Sequence, residues 1–185
     1  REQDPQDPAV VTVGSFQAGA KHNIIPDQAL LLLTVRSYSD ETRAKLIKGI
    51  ERIARGEAIA AGVPDDKMPV VSVKDEFTPS TYNPPEFAEQ MGALLKGHFA
   101  EGRVVKTPAV MGGEDFGRFY RADKSINSFI FWVGGVPADK MAAAEAGQIT
   151  LPSLHSPFWA PEADKVIATA SEAMTVLAMD ILKKD

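Results

Sequence analysis

ALLLLTVRSYSDETRAKLIKGIERIA, residues 29–54, joins an apolar run to an amphipathic pattern within one segment. The leucine run of residues 29–37 could be helical by itself, but a proline shortly before it and a Ser-Tyr-Ser-Asp turn after it limit its length and favour a strand. Ser39 or Asp40 can cap the next element. There, apolar residues recur at three- and four-residue spacing, which predicts a helix that ends near Gly62.

Two more strands are expected around this segment. Val10–Phe16 is β-branched and apolar, and the glycine, asparagine and proline that follow it predict a turn between two strands. Val70–Asp75 alternates enough to be a third strand. Residues 9–80 are therefore predicted to form a strand–strand–helix–strand domain with short connections.

The run Thr78–Pro85 contains three prolines and predicts a domain boundary. A second domain is expected at residues 84–185. Its elements follow from apolar periodicity and composition: helices at Glu86–His98 and Ala163–Lys184, strands at Val104–Val105, Ala109–Met111 and Phe129–Val133, and a connector or short helix at Ala138–Gly147. The Phe129–Val133 run suits a strand that is buried on both faces of a sheet.

Composition excludes several classes of protein. The chain has 185 residues, 44% of them hydrophobic, which suits a globular protein with a substantial core. A net charge of −5 argues against nucleic acid or an anionic membrane surface as the main partner. Since there is no cysteine, disulfides and thiolate metal sites are excluded, and the compartment stays open. The first eight residues lack the features of a signal peptide, and we expect them to be the interior of a longer protein.

The first motif with chemical potential lies between the two N-terminal strands. Asn23 is followed thirteen residues later by Arg36, and an amide together with a planar guanidinium could bind a substrate carboxylate. A solvated turn and a surface arginine explain the same residues. His22, beside Asn23, is a possible substrate contact.

The second motif is Met111-Gly112-Gly113-Glu114-Asp115-Phe116. Two glycines allow backbone N–H groups to approach a ligand closely, and the adjacent carboxylates Glu114 and Asp115 can orient a metal ligand or a base. The structural alternative is a turn in which one carboxylate caps the following helix.

The third motif is Leu154-His155-Ser156-Pro157, just ahead of the last predicted helix. Imidazole is a common metal ligand, but a catalytic zinc site needs about three protein ligands, and the only other histidines are His22 and His98. We expect His98 to be solvated. His155 is therefore either a structural histidine or one ligand of a site whose other members lie outside this chain.

Together and in this order, the motifs resemble the C-terminal half of the zinc-dependent aminoacylase/carboxypeptidase-G superfamily of metallopeptidases. The similarity is greatest to the branch of hippurate hydrolases and N-acyl-amino-acid amidohydrolases. The residues that carry it are Val11-Thr12-Val13-Gly14, Gly19, Asn23-Ile24-Ile25-Pro26-Asp27, Val35-Arg36, Met111 to Phe116 and Leu154 to Pro157.

This resemblance implies an α/β fold in two parts. Residues 9–80 would be a partial ferredoxin-like lid or dimerisation domain, an α+β unit that lacks its first strand and helix. Residues 84–185 would be the C-terminal part of a mixed-sheet α/β/α metallohydrolase domain. A homodimer through the lid is expected.

The resemblance also implies roles for individual residues. Asn23 and Arg36 would bind the substrate carboxylate, Gly112 and Gly113 would line the pocket, and Glu114 and Asp115 would support it. His155 would be the last ligand of a site for two divalent metal ions, usually zinc and sometimes manganese or cobalt. The remaining ligands, the general base and a lid histidine would lie upstream, and His22 is not assigned to that last role.

The implied reaction is hydrolysis of the amide bond of N-acyl-amino acids or small peptides. Because one imidazole cannot hold a metal ion tightly, we expect the chain alone to be inactive and to bind no metal tightly. The alternatives are a non-catalytic dimerisation or ligand-binding module and a degenerate family member that binds acyl-amino acids without turnover.

Overall fold

A computed structural model describes residues 2–183 of the chain. Within this range the elements are β1 (Ala9–Ala18), β2 (Ala29–Ser37), α1 (Asp40–Ala60), α2 (Pro85–His98), α3 (Gly117–Ala122), α4 (Ala138–Glu145) and α5 (Ala163–Ile181), with a 3-10 turn at Asp65–Lys67. This α/β content agrees with the fold class expected from the sequence. Lys184, the predicted end of the last helix, lies outside the described residues.

The chain forms two compact units. The first holds the described residues up to Thr81 together with Pro108–Arg121, and the second holds Tyr82–Thr107 and the described residues from Ala122 onward. This grouping by contacts differs from the predicted division at residues 80–84 because it assigns Pro108–Arg121 to the first unit. The division into lid and catalytic domains remains a prediction.

In the first unit, β1 and β2 pair antiparallel and α1 packs against β2. Gly14 is a bulge, since Val13 pairs with Leu33 while Ser15 pairs with Leu32. A bulge shifts the alternation of side chains, so residues on either side of it exchange faces. The shift gathers one apolar face of the hairpin, whose members are Val11, Val13, Phe16, Leu31, Leu33 and Val35.

The apolar face is only partly covered. Within β2 only Val35 and Ser37 are half-buried, and Phe16 on β1 is 66% exposed. The opposite face is mixed: it carries the Thr12–Thr34 pair and Arg36, but also Val10, Leu30 and Leu32. Arg36 thus lies on the more polar of the two faces of the hairpin.

The start of α1 is fixed by local hydrogen bonds. The Ser39 side chain caps the helix by accepting from the Thr42 backbone N–H at 3.1 Å. The buried Thr42 hydroxyl donates to Asp7, and Gln3 donates to the same carboxylate. These hydrogen bonds, the Thr42 contact most of all, lower the pKa of Asp7 below its ordinary value of 3.8. The N-terminal segment is thereby tied to the helix.

In the second unit the core lies between two helices. Met91 and Leu95 of α2 pack with Ala173 and Leu177 of α5, and all four are buried. Surrounding apolar residues pack against this cluster, among them Phe129 and Phe131, whose rings stack at 5.6 Å. The apolar stripes of the two longest helices of this unit thus do what their periodicity predicts.

Four predicted strands are not strands among the described residues. Residues 70–75, 104–105, 109–111 and 129–133 form no ladder with another segment. Val70 is 91% exposed, whereas Phe129 and Phe131 turn inward and Trp132 outward, as in an extended chain. Alternation and β-branching favour an extended backbone, but a strand also requires a pairing neighbour. The sequence pattern of a single segment carries no information about whether such a neighbour is present.

Candidate substrate-binding site

Arg36 and the glycine motif are brought together, although they lie 75 residues apart in the chain. Arg36 is exposed near the end of β2, and its Nη1 donates to the Met111 carbonyl oxygen at 2.5 Å. Met111 immediately precedes Gly112 and Gly113, so the guanidinium lies at the beginning of the glycine motif. One donor of the guanidinium contacts the loop, and a guanidinium has five N–H donors in all.

Gly112 and Gly113 are exposed, and no close packing within the described chain requires a glycine at either position. A Cβ placed on Gly113 would meet no atom within 4 Å, and one on Gly112 would meet only Val110, at 3.9 Å. Neither residue has a positive φ among the described residues. Since neither sterics nor backbone conformation requires glycine here, the open space beside them is available to another group.

Glu114 takes part in a local turn, as the structural alternative expected for one carboxylate of this motif. Its Oε1 accepts from the Phe116 backbone N–H at 2.9 Å, just before α3 begins. Asp115 is exposed, and its carbonyl oxygen accepts from the Arg118 N–H at 3.0 Å. Glu114 and Asp115 therefore both take part in the turn that leads into α3, Glu114 through its carboxylate and Asp115 through its backbone carbonyl.

Asn23 lies at the other end of the hairpin from Arg36. The loop of residues 19–28 begins at Gly19, whose φ of 67° is in the left-handed region, and His22 and Asn23 are both exposed in it. Arg36 is seven residues beyond Ala29 along β2, which at about 3.3 Å per residue corresponds to about 23 Å. Within one copy of the chain, Asn23 and Arg36 are not brought together.

His155 is exposed in a tight turn of the second unit. The Ser156 N–H donates to the Ser153 carbonyl at 2.9 Å, and the Trp159 N–H donates to the Ser156 carbonyl at 3.0 Å. These two consecutive turns fix the backbone on both sides of the imidazole. Across residues 2–183, no group of three or more His, Cys, Asp or Glu side chains could hold a metal ion.

His98 is exposed, as the sequence suggested, and it also has a partner that the sequence did not reveal. Its Nε2 lies 2.7 Å from Glu172 Oε1, and it links the end of α2 to α5 within the second unit. The partner comes from helix packing, because the α2–α5 contact brings together two residues 74 positions apart. This pair supports the helix packing, whereas no side-chain partner of His155 is seen among the described residues.

Two polar residues of the predicted boundary segment have roles that the sequence did not reveal. The Asn83 amide bonds both backbone groups of Ile130, donating to its carbonyl at 2.8 Å and accepting from its N–H at 2.9 Å. The Thr81 hydroxyl contacts the loop that carries Glu114. The proline-rich composition indicated a boundary, whereas partners 33 and 47 residues away leave no local signal.

Similarity to known proteins agrees with the motifs. Residues 3–61 match the peptidase dimerisation domain of the M20 family. The chain is 33% identical over 137 residues to an N-acetyldiaminopimelate deacetylase of Streptococcus suis, covering 72% of this chain and 34% of that protein. It is 33% identical over 131 residues to a hippurate hydrolase of Campylobacter jejuni, covering 70% of this chain and 33% of that protein.

A solved structure from methicillin-resistant Staphylococcus aureus, described as an aminohydrolase, superposes with a TM-score of 0.73 at 25% identity. The match covers 99% of this chain and 42% of that one. The chain spans about a third of the length of the curated relatives it matches. Of the helices in residues 2–183, none is long and apolar enough to cross a bilayer. From the matched domain, the two amidohydrolase relatives and the shared fold, we conclude that the chain belongs to the M20 peptidase family.

Proposed function

We propose that this chain carries the substrate-holding and dimerising part of a metal-dependent amidohydrolase that cleaves N-acyl-amino acids or small peptides. One observation carries the proposal: Arg36 contacts the Met111 carbonyl at the start of the Gly112-Gly113 loop. A fixed cation beside an open glycine loop suits a ligand with a carboxylate next to an amide. The names of the two relatives, hippurate hydrolase and N-acetyldiaminopimelate deacetylase, both denote N-acylated amino acids.

Arg36 is proposed to bind the carboxylate of the amino-acid half. With Nη1 on the Met111 carbonyl, its other donors can form a charge-assisted, bidentate contact with a carboxylate. The bond to the loop restricts the side chain before substrate arrives, so less rotamer freedom is lost on binding. Gly112 and Gly113 then allow the acyl group or scissile amide to approach the backbone, with Glu114 and Asp115 supporting the turn.

Asn23 is proposed to contact the same substrate from a second copy of the chain. The length of β2 separates the Asn23 loop from Arg36 by about 23 Å, which one small substrate cannot span. The match of residues 3–61 to a dimerisation domain supports a homodimer that supplies the loop in trans. A full-length protein that stays monomeric at micromolar concentration in light scattering would contradict this part.

His155 is proposed as one metal ligand. An exposed imidazole held between two tight turns fits that role, and the other ligands would come from outside residues 2–183. Divalent metal ions in such sites acidify a bound water molecule. This chain alone is then expected to be inactive and to lose metal on dialysis. Stoichiometric zinc that survives dialysis of the 185-residue chain would contradict this assignment.

A binding module without turnover is the second candidate function. The matched dimerisation domain favours it as much as it favours an enzyme, because such a domain can pair subunits without taking part in catalysis. Release of the free amino acid from an N-acyl-amino acid separates the two, since only an enzyme produces it.

The Arg36 role is tested in the full-length protein by Arg36→Ala, with Arg52→Ala as the control. Arg52 is an exposed arginine of α1 that pairs with Glu2. Charged hydrogen bonds contribute about 1.5–3 kcal/mol, so KM for an N-acyl-amino acid should rise about 10- to 100-fold in Arg36→Ala. The control should leave KM unchanged. An equal KM in wild type and Arg36→Ala would contradict the proposed role of Arg36 in binding the carboxylate.

A further inference from the structure

The Thr81 hydroxyl bridges the two ends of a short loop that it does not belong to. Its Oγ1 donates to the Glu114 carbonyl at 3.0 Å and accepts from the Gly117 N–H at 3.2 Å. A hydroxyl is one of the few side-chain groups that can do both. The residues between its two partners, Asp115 and Phe116, are thereby spanned by one side chain.

Gly117 makes this bridge possible. It is buried, and a Cβ added to it would lie 2.7 Å from Thr81 Cα and 2.8 Å from Thr81 Oγ1. Contacts this short are not tolerated between real atoms, so any larger residue would push the two segments apart. The glycine and the threonine are therefore two independent features of one close approach.

A neighbouring contact holds the same two segments together. Arg118, the residue after Gly117, donates from Nη2 to the Phe77 carbonyl at 2.7 Å. Both contacts lie within the first unit. The segment of residues 77–81 is thus joined to the start of α3 by a backbone-directed hydrogen bond on each side of the close approach.

Together with Arg36, this bridge fixes the glycine motif at both ends. Arg36 contacts the Met111 carbonyl on the N-terminal side, and Thr81 contacts Glu114 and Gly117 on the C-terminal side. Gly112 and Gly113 lie between these points and have more conformational freedom than other residues. Two adjacent glycines can hold a ligand in a defined place only if the chain around them is restrained.

We propose that Thr81 is a positioning residue that holds the Gly112–Gly113 loop in its ligand-accepting conformation. The proposal rests on the proposed function, in which this loop lines the substrate pocket. Thr81 contacts no substrate in this account. It acts through the loop backbone, and its loss should release the loop without unfolding the unit, since Arg36 and Arg118 keep their own contacts.

The test uses three variants of the full-length protein. Thr81→Val removes both hydrogen bonds while keeping the shape, Thr81→Ser keeps the hydroxyl, and Thr78→Val is the control at an exposed threonine of the same segment. Hydrogen exchange in the peptide covering residues 111–118 reports the loop directly. Thr81→Val should speed that exchange about tenfold and raise KM for an N-acyl-amino acid more than it lowers kcat, whereas Thr81→Ser and Thr78→Val should resemble wild type.

Unchanged exchange in residues 111–118 of Thr81→Val would overturn the proposal, and so would faster exchange accompanied by an unchanged KM. If Thr81→Val unfolds the protein, Gly117→Ala and Thr81→Ser decide: retained protection in Thr81→Ser with lost protection in Gly117→Ala supports the bridge, and any other pattern overturns it. Failure of the proposed function is seen separately, as absence of hydrolysis in wild type while the exchange result stands.

Discussion

The helix pair of the second unit and the β-hairpin of the first unit differ in how far their apolar side chains are buried. Met91 on α2 is 1% exposed, and its neighbours in the α2–α5 contact are also buried. The hairpin's apolar face, by contrast, leaves Val11, Val13 and Phe16 exposed, although β1 and β2 are fully paired. The helix pair completes its core with residues of this chain, whereas the hairpin is paired in its backbone but only partly covered on its apolar face.

The helix pair buries its apolar side chains within this chain, whereas the hairpin does not. An exposed contiguous apolar face is uncommon in a soluble protein and indicates that something else covers it. We therefore expect other protein, either another part of the polypeptide or a second subunit, to cover this face. The hairpin's opposite face, which carries Arg36, is expected to stay open to substrate.

Truncating the helix core should have the largest effect. In the full-length protein, Met91→Ala should lower the free energy of unfolding by about 2–5 kcal/mol, because it removes a fully buried side chain and leaves a cavity. Met174→Ala on α5 is the matched control, since Met174 is 64% exposed, and it should change stability by about 0.5 kcal/mol or less. Hydrogen exchange of α2 and α5 measures both. Equal losses in the two variants would show that the core is not where the structure has it.

A smaller effect is expected from two neighbouring leucines of the hairpin. Leu31 and Leu32 are similarly exposed in this chain, but Leu31 lies on the apolar face and Leu32 on the face of Arg36. If the apolar face is covered in the full-length protein, Leu31→Ala should lower the free energy of unfolding by about 2 kcal/mol, and Leu32→Ala should lower it by less than about 1 kcal/mol. Denaturant unfolding of the two variants compares them. A larger loss in Leu32→Ala would reverse the assignment of the covered face.

Much of this architecture was predictable from the sequence. The bounds of β2 and the start of α1 follow from the apolar run and the serine cap, and α2 and α5 follow from helical periodicity. These features are local, so the residues that form them are sufficient to predict them. Pairing is different, because the bulge at Gly14 and the missing ladders at residues 70–75 and 129–133 depend on a neighbouring segment.

The site divides in the same way. Residue type and order were enough to select Arg36, the glycine motif and His155 as candidates, and their roles stay predictions. The separation of Asn23 from Arg36 could not be predicted, since thirteen residues of a hairpin can lie near or far apart depending on where the turn falls. Thr81 and Asn83 were missed because their importance comes from backbone partners distant in sequence.

We propose that this chain holds the carboxylate of an N-acyl-amino acid for hydrolysis. The most direct measurement is kcat/KM of the full-length wild-type protein, supplied with divalent metal, for N-benzoylglycine and for N-benzoylglycinamide. We expect release of the amine product with about a 10- to 100-fold preference for the free acid, the difference that charged hydrogen bonds to Arg36 would provide. Equal rates for the acid and its amide, or hydrolysis of neither across a panel of N-acyl-amino acids, would contradict it.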